Sequence, residues 1–189
     1  INPVYDIIPV DNPQMPFTTA KEMFDYVKEK NIPVWQAALD YERAISGCSD
    51  SDLMKIAESL WDLSVYSAEQ GYAVTSFDGN TSPHADKASA DALSIMEYAA
   101  AHGVIACMPT GGSSGIPVPS IRYSAEALKK SKEDCLKALL VAGIVGIFYY
   151  PTHYHGAWGC QAEIGVSISM TAGALASLLT DDPDVIERA

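Results

Sequence analysis

Apolar positions recur along this chain at helical rather than strand spacing. Met23, Phe24 and Val27 share one face of a short segment opened by Thr19-x-x-Glu22, a pattern in which hydroxyl and carboxylate cap each other's backbone. Asn31-Ile32-Pro33 closes that helix. Pro33, with its preset φ, suits the first position of a second helix running to about Ile45, which Gly47 stops. Ser49-x-x-Asp52 starts a third, where Leu53, Ile56, Leu60 and Leu63 recur every three or four residues. A polar stretch from Gly71 to Ala85 follows, too long for a plain connector and of the composition that carries function in many loops. A fourth helix is predicted over Asp86–His102, with Ala92, Ile95, Met96 and Ala99 on one face.

The second half begins with a run of small residues, 107–120, followed by a short predicted helix over Ser124–Lys130. Ser131-x-x-Asp134 caps a longer helix reaching Tyr149 or Tyr150; after Ala138 it is apolar on every side, the mark of an interior helix. Gly143 and Gly146 would let a neighbouring backbone come close. A polar loop, Pro151–Gly159, leads to a last helix over Gln161–Leu179 that is rich in Gly, Ala and Ser. The segment up to Phe17 holds four prolines and no helical period, so it reads as an extended lead-in. No segment alternates with the period of a strand. The expected fold is all-α: one helical domain over 18–189 with buried Gly/Ala-rich helices.

Composition narrows the picture. At 189 residues, 48% apolar and 19% charged, the chain can bury the core of a single domain and is not a disordered segment. Twelve Lys+Arg against 24 Asp+Glu leave a net charge of −12, which excludes the basic face that a nucleic-acid partner requires. Cys48, Cys107, Cys135 and Cys160 show neither CxxC spacing nor the density of a secreted disulfide framework, so free thiols in a reducing, cytoplasmic setting are expected. The chain opens on Ile1 with no leader pattern, so its natural N-terminus is expected upstream. Two apolar runs invite a membrane reading. Ala138–Tyr150 is too short, and Ile164–Leu179 is interrupted by Ser167, Ser169, Thr171 and Ser177, whereas a span takes about 20 apolar residues. Both read as buried helices.

Two clusters can carry chemistry. In Thr110-Gly111-Gly112-Ser113-Ser114-Gly115, three glycines permit positive φ and let successive N–H groups converge on a carboxylate or phosphate, with hydroxyls as further donors. The same residues also suit a simple turn between core helices. No Lys-Ser/Thr follows, so this is not a nucleotide phosphate loop. Gly-Ser-Ser-Gly is not the G-x-S-x-G elbow either, which counts against Ser114 as a hydrolase nucleophile. The second cluster places His153, His155 and Cys160 within eight residues, ahead of Glu163. A helix N-terminus lowers a thiol's pKa, and zinc accepts mixed nitrogen and sulfur ligands, so these three could hold one zinc or iron ion. An aromatic plug of Tyr149, Tyr150, Tyr154 and Trp158 around satisfied histidines accounts for the same residues. His84 and His102 stand alone.

Several strings resemble the α subunit or domain of the iron–sulfur-dependent L-serine dehydratases. GCQAEIGVSISMTAGALASLL (159–179) is similar to that family's GCQAEVG helix, MPTGGSSGIP (108–117) to its APTxGxCGxxP loop, and LLVAGIVG (139–146) to its AGAIG-type helix. Tyr41–Gly47 falls where the family has a Glu-Asn-Glu-like stretch. The resemblance implies an all-helical domain holding a four-iron, four-sulfur (4Fe-4S) cluster. An open iron polarises the substrate hydroxyl, a base removes the α proton, and the enamine collapses to pyruvate and ammonia. By position Cys160 corresponds to a cluster cysteine, and Ser114 stands where the family loop has another. Thr110, Gly111, Gly112, Ser113 and Gly115 correspond to the substrate carboxylate turn, and Glu163 and Ser114 become candidate catalytic groups beside Cys160. The family's stretch before GCQ is replaced by PTHYHGAWG, and its chains continue beyond this one.

The expected function is therefore a lyase component that eliminates water, or another β-substituent, from a small amino acid. One alternative keeps the scaffold but exchanges the cluster for a single zinc or iron on His153, His155 and Cys160, acting on another small carboxylate. A second is a non-catalytic subunit completed by a second chain. A second subunit or a missing C-terminal segment, or a homo-oligomer, is the expected partner, with no membrane and no nucleic acid.

Overall fold

In the computed structural model, which describes residues 9–74, 87–153 and 160–189 (150–153 and 160–161 by backbone alone), several helices begin where side chains cap them. Glu22 N–H donates to Thr19 Oγ1 at 3.2 Å while Thr19 N–H donates to Glu22 Oε2 at 3.2 Å, opening α1 (Ala20–Lys30) with a complete capping box. Asn31 at φ 52° ends it, and Gly47 at φ 67° ends α2 (Val34–Ser46). Pro33 caps α2 rather than starting it. Ser49 Oγ accepts from Asp52 N–H at 3.2 Å and donates to the Asp52 carboxylate at 2.7 Å ahead of α3 (Asp50–Val74), and Ser131 and Asp134 cap each other's backbone at the start of α6 (Lys132–His153). Between these lie α4 (Lys87–Ala100), a 3-10 turn at Gly111–Ser113, and α5 (Pro117–Leu128); α7 (Cys160–Leu179) and α8 (Pro183–Arg188) complete the order. All regular structure among the described residues is helical, as expected.

Three boundaries differ from the sequence reading. Helix α3 continues through Gly71 to Val74, because Gly71 is a packing residue: a Cβ there would overlap the Ser94 carbonyl of α4. Ser94 Oγ also donates to the Ala68 carbonyl at 2.5 Å, so α3 and α4 run antiparallel in close contact through small residues. Helix α5 starts at Pro117, well before Ser124. Pro117 and Pro119, part of the small-residue run 107–120 in the sequence, both lie in its first turn, where a missing N–H is harmless. Helix α6 carries on past Tyr150 to His153, so part of the predicted 151–159 loop is helical; 154–159 lie outside the described residues. The stretch 75–86, including His84, and the first eight residues of the lead-in also lie outside them.

Burial corrects one helix face. In α4 the buried residues are Ala90, Asp91, Ser94 and Ile95, while Ala92, Met96 and Ala99 are only half-buried. Close approach to α3 selects the small and polar side of α4 over its bulkier one. In α3 the buried line is Leu53, Ala57, Trp61, Ser64 and Ala68, and Leu60 is 41% exposed.

Helices α6 and α7 form the antiparallel centre, and two cores share α6. One gathers Trp61, Met108, Val118, Ile121, Leu136, Leu139, Val166 and Met170 from α3, the 108–113 segment, α5, α6 and α7. The other gathers Phe17, Phe24, Val27, Val34, Val141, Ile144 and Ile186 from the lead-in, α1, α2, α6 and α8. This double duty is why α6 is apolar all round. Its Gly146 lies against Met170, where a Cβ would meet Sδ at 2.7 Å. Gly143 meets nothing and opens on a groove, contrary to the close approach expected of it. Ala162–Leu179 of α7 is long and apolar enough to cross a bilayer by length and composition, yet Val166, Met170, Ala174 and Leu178 belong to the first core.

Candidate active site at the 110–115 turn

The chain enters the candidate site through Met108 and Pro109, joined by a cis peptide, with the Met108 N–H donating to the Thr110 carbonyl at 3.2 Å. From Thr110 it winds right-handed through the 3-10 turn into α5, with Ser114 N–H donating to Gly111 O and Ile116 N–H to Ser113 O. Left-handed glycines were expected here and are not found: among the described glycines only Gly47 has a positive φ. Ser114 at φ −55° and Ile116 at φ −84° continue this right-handed path into α5. The small residues instead serve contact and access. Gly115 lies against α4, where a Cβ would stand 2.5 Å from the Ala92 carbonyl oxygen. At Gly111 a Cβ would meet nothing within 4 Å, leaving the mouth of the turn open. The first N–H groups of a helical turn have no partner within it, so those of Gly111 and Gly112 are the natural donors to an anion approaching that side.

The turn is pinned to α7 by side chains one helical turn apart. Thr110 Oγ1 donates a hydrogen bond to Glu163 Oε2, and Ser167 Oγ donates to the Ser113 carbonyl at 3.4 Å. Thr171 Oγ1 in turn donates to the Ser167 carbonyl at 2.7 Å. Glu163, Ser167 and Thr171 thus form a polar line, spaced i, i+4, i+8, down the face of α7 that meets the turn. In the sequence Ser167 reads only as an interruption of an apolar run, without a role of its own. Its spacing from Glu163 was the available signal.

Ser113 Oγ donates to the Met108 carbonyl at 3.0 Å, within 3.5 Å of Thr110 Oγ1. Ser114 is fully buried and its hydroxyl donates to the Thr110 carbonyl at 2.9 Å, so it faces the interior of the turn rather than its mouth. Thr110, Ser113 and Glu163 are therefore brought together, and Gly111 and Gly112 stand beside them. His153 and Cys160 are described by backbone alone and His155 lies outside the described residues; the proposed metal triad falls there. Beside the turn an apolar groove of about 450 Å³ is lined by Leu60, Cys107, Met108, Pro109, Gly143 and Met170, among others.

An iron–sulfur cluster is held by thiolates that converge on one point. The described thiols do not fit that need. Cys107 is exposed beside the turn, Cys48 follows α2, and Cys135 is buried in the first core, where burial pushes its thiol above the ordinary range. No three His, Cys, Asp or Glu residues gather as a metal site among the described residues.

An all-helical domain with a small-residue turn pinned to a GCQAE helix defines a class, and comparison with known proteins gives the class its name. Residues 17–189 match the serine dehydratase alpha chain family, and the chain belongs to it. It is 37% identical to the L-serine dehydratase of Streptomyces coelicolor over 101 residues, 52% of this chain and 22% of that one. It is 27% identical to the L-serine dehydratase alpha chain of Peptoniphilus asaccharolyticus over 183 residues, 85% of this chain and 63% of that one. The chain thus spans under two-thirds of the length of these relatives.

Proposed function

We propose that this chain is the alpha component of a lyase that eliminates water from a small β-hydroxy amino acid, with L-serine as its first candidate substrate. The observation that carries this reading is the Thr110–Glu163 hydrogen bond, which joins the two motif strings at one mouth. The carboxylate of the substrate lies against the N–H groups of Gly111 and Gly112, which the absence of a side chain at Gly111 leaves accessible. Glu163 takes the proton from Cα. Thr110 donates a hydrogen bond from its hydroxyl to Glu163 Oε2 and so fixes which carboxylate oxygen faces the substrate. The Cβ–O bond breaks, and the proton taken from Cα leaves with the hydroxyl as water. The remaining aminoacrylate tautomerises and hydrolyses to pyruvate and ammonium. Two supports favour completion of the site by a further chain or segment: the relatives are longer, and the apolar groove lies open beside the turn.

The test is pyruvate release from L-serine by the full protein together with any chain that co-purifies with it, prepared without oxygen, with iron, acid-labile sulfide and zinc counted in the same sample. Glu163→Gln is expected to lower kcat by about a hundredfold or more, the usual scale for losing a proton-transfer group. Thr110→Val is expected to fall between that variant and the parent. Parent-like kcat in Glu163→Gln, or no pyruvate from the parent protein, overturns the reading.

A further inference from the structure

Asp91 lies on α4 with its side chain 9% exposed, and groups from two other helices converge on it. Tyr72 of α3 donates its hydroxyl to Oδ1 at 3.1 Å, Tyr123 of α5 donates to Oδ2 at 2.8 Å, and Arg122 Nη1 of α5 reaches Oδ2 at 3.3 Å. The next residue along α4, Ala92, is the one whose backbone touches Gly115. Helix α5 is therefore held on α4 at two places. One is its root, at the end of the candidate turn. The other is at Arg122 and Tyr123, roughly two helical turns on at 1.5 Å per residue.

Apolar packing alone would hold the three helices together, but it tolerates sliding. Three directional donors on one carboxylate do not, and a buried carboxylate is retained at a desolvation cost that packing residues would avoid. Gly115, lacking a Cβ, lets the root of α5 sit against the α4 backbone, and the Asp91 hub then keeps α5 from rotating or shifting along its axis. The turn is the only chain between that root and Thr110, so its placement follows that of α5.

We propose that Asp91 is a positioning residue for the 110–115 turn, setting through Tyr123 and Arg122 where Thr110 and the Gly111 and Gly112 amides stand relative to Glu163. The functional half of this inference rests on the lyase reading above; the structural half stands on the contacts alone.

The two are separated by measuring amide hydrogen exchange across residues 111–116 alongside turnover of L-serine, in the full protein. Asp91→Asn keeps the shape and an acceptor for the tyrosines, Asp91→Ala removes the hub, and Tyr123→Phe deletes one donor if the alanine variant fails to fold. Val27→Ala, in the second core, serves as a destabilised control away from the turn. Asp91→Ala is expected to speed exchange at the hydrogen-bonded Ser114 and Ile116 amides by about tenfold or more, and by clearly more than Val27→Ala does. Turnover is expected to drop by as much as about a hundredfold in Asp91→Ala, with a smaller drop in Asp91→Asn and Tyr123→Phe, as displacement of catalytic groups does. Exchange at 111–116 that rises no more in the Asp91 and Tyr123 variants than in Val27→Ala overturns the positioning role. A parent protein inert toward L-serine overturns the lyase reading and leaves the exchange result to decide this one.

Discussion

Glu42 is half-buried on α2, and burial alone pushes its carboxyl above the ordinary value of 4.5. A carboxyl whose folded pKa is raised disfavours the fold once the unfolded chain ionises. That cost is absent at low pH and grows as pH rises past the unfolded value. Glu42→Gln is therefore expected to raise the Tm at pH 7, and the gain should shrink to nothing as the comparison is moved toward pH 4. Equal gains at both pH values would show that ionisation is not the cause. At this scale the sequence was informative about identity and poor about reason. Glu163 and Thr110 were both singled out, but their meeting is a contact across 53 positions that no local pattern encodes. Gly115 was noted for a backbone freedom it does not use, whereas its value is the lack of a Cβ against Ala92. Asp91 carried no signal at all, since a lone aspartate in a helix usually faces water.

Among whole elements, what is local was legible. All three hydroxyl–carboxylate pairs, Thr19–Glu22, Ser49–Asp52 and Ser131–Asp134, cap the helices they were read as opening, because both partners lie within one turn of chain. Thr19→Ala is expected to cost about 1 kcal/mol in urea unfolding, the usual scale for a lost N-cap. Thr19→Ser should restore most of it. The α4 face and the start of α5 were misjudged for the opposite reason: each is decided by a neighbour. Contact with α3 buries Ser94 and Asp91 in place of Met96. The 3-10 turn feeds directly into α5, so the end of the small-residue run 107–120 becomes the first turn of a helix.

At the level of the whole molecule, the Asp91 hub also shapes the response to alkali. Burial, with the Asp91 carboxylate beside them, pushes Tyr72 and Tyr123 up to about 12 from an ordinary 10. Both phenols stay protonated in the fold at a pH where the unfolded chain has begun to lose those protons. Their contribution to stability is whole below pH 10 and is lost as pH climbs through 12. Unfolding followed at 222 nm, with phenolate absorbance at 295 nm, should show the fold weakening across that window. Double replacement by Phe should flatten the dependence while lowering stability at neutral pH. A parent and a double variant with the same alkaline profile would detach the tyrosines from the effect.

The two cores that meet on α6 carry a final consequence. Leu136, Leu139 and Ala142 face one, Val141 and Ile144 the other, within nine consecutive positions. A helix used as the common wall of two rooms cannot be moved to suit either alone. A change of volume at Leu139 is felt from the turn's side, and one at Ile144 from the side of α1 and α8, yet both press on the same backbone. Damage to either core thus reaches the other through the wall they share.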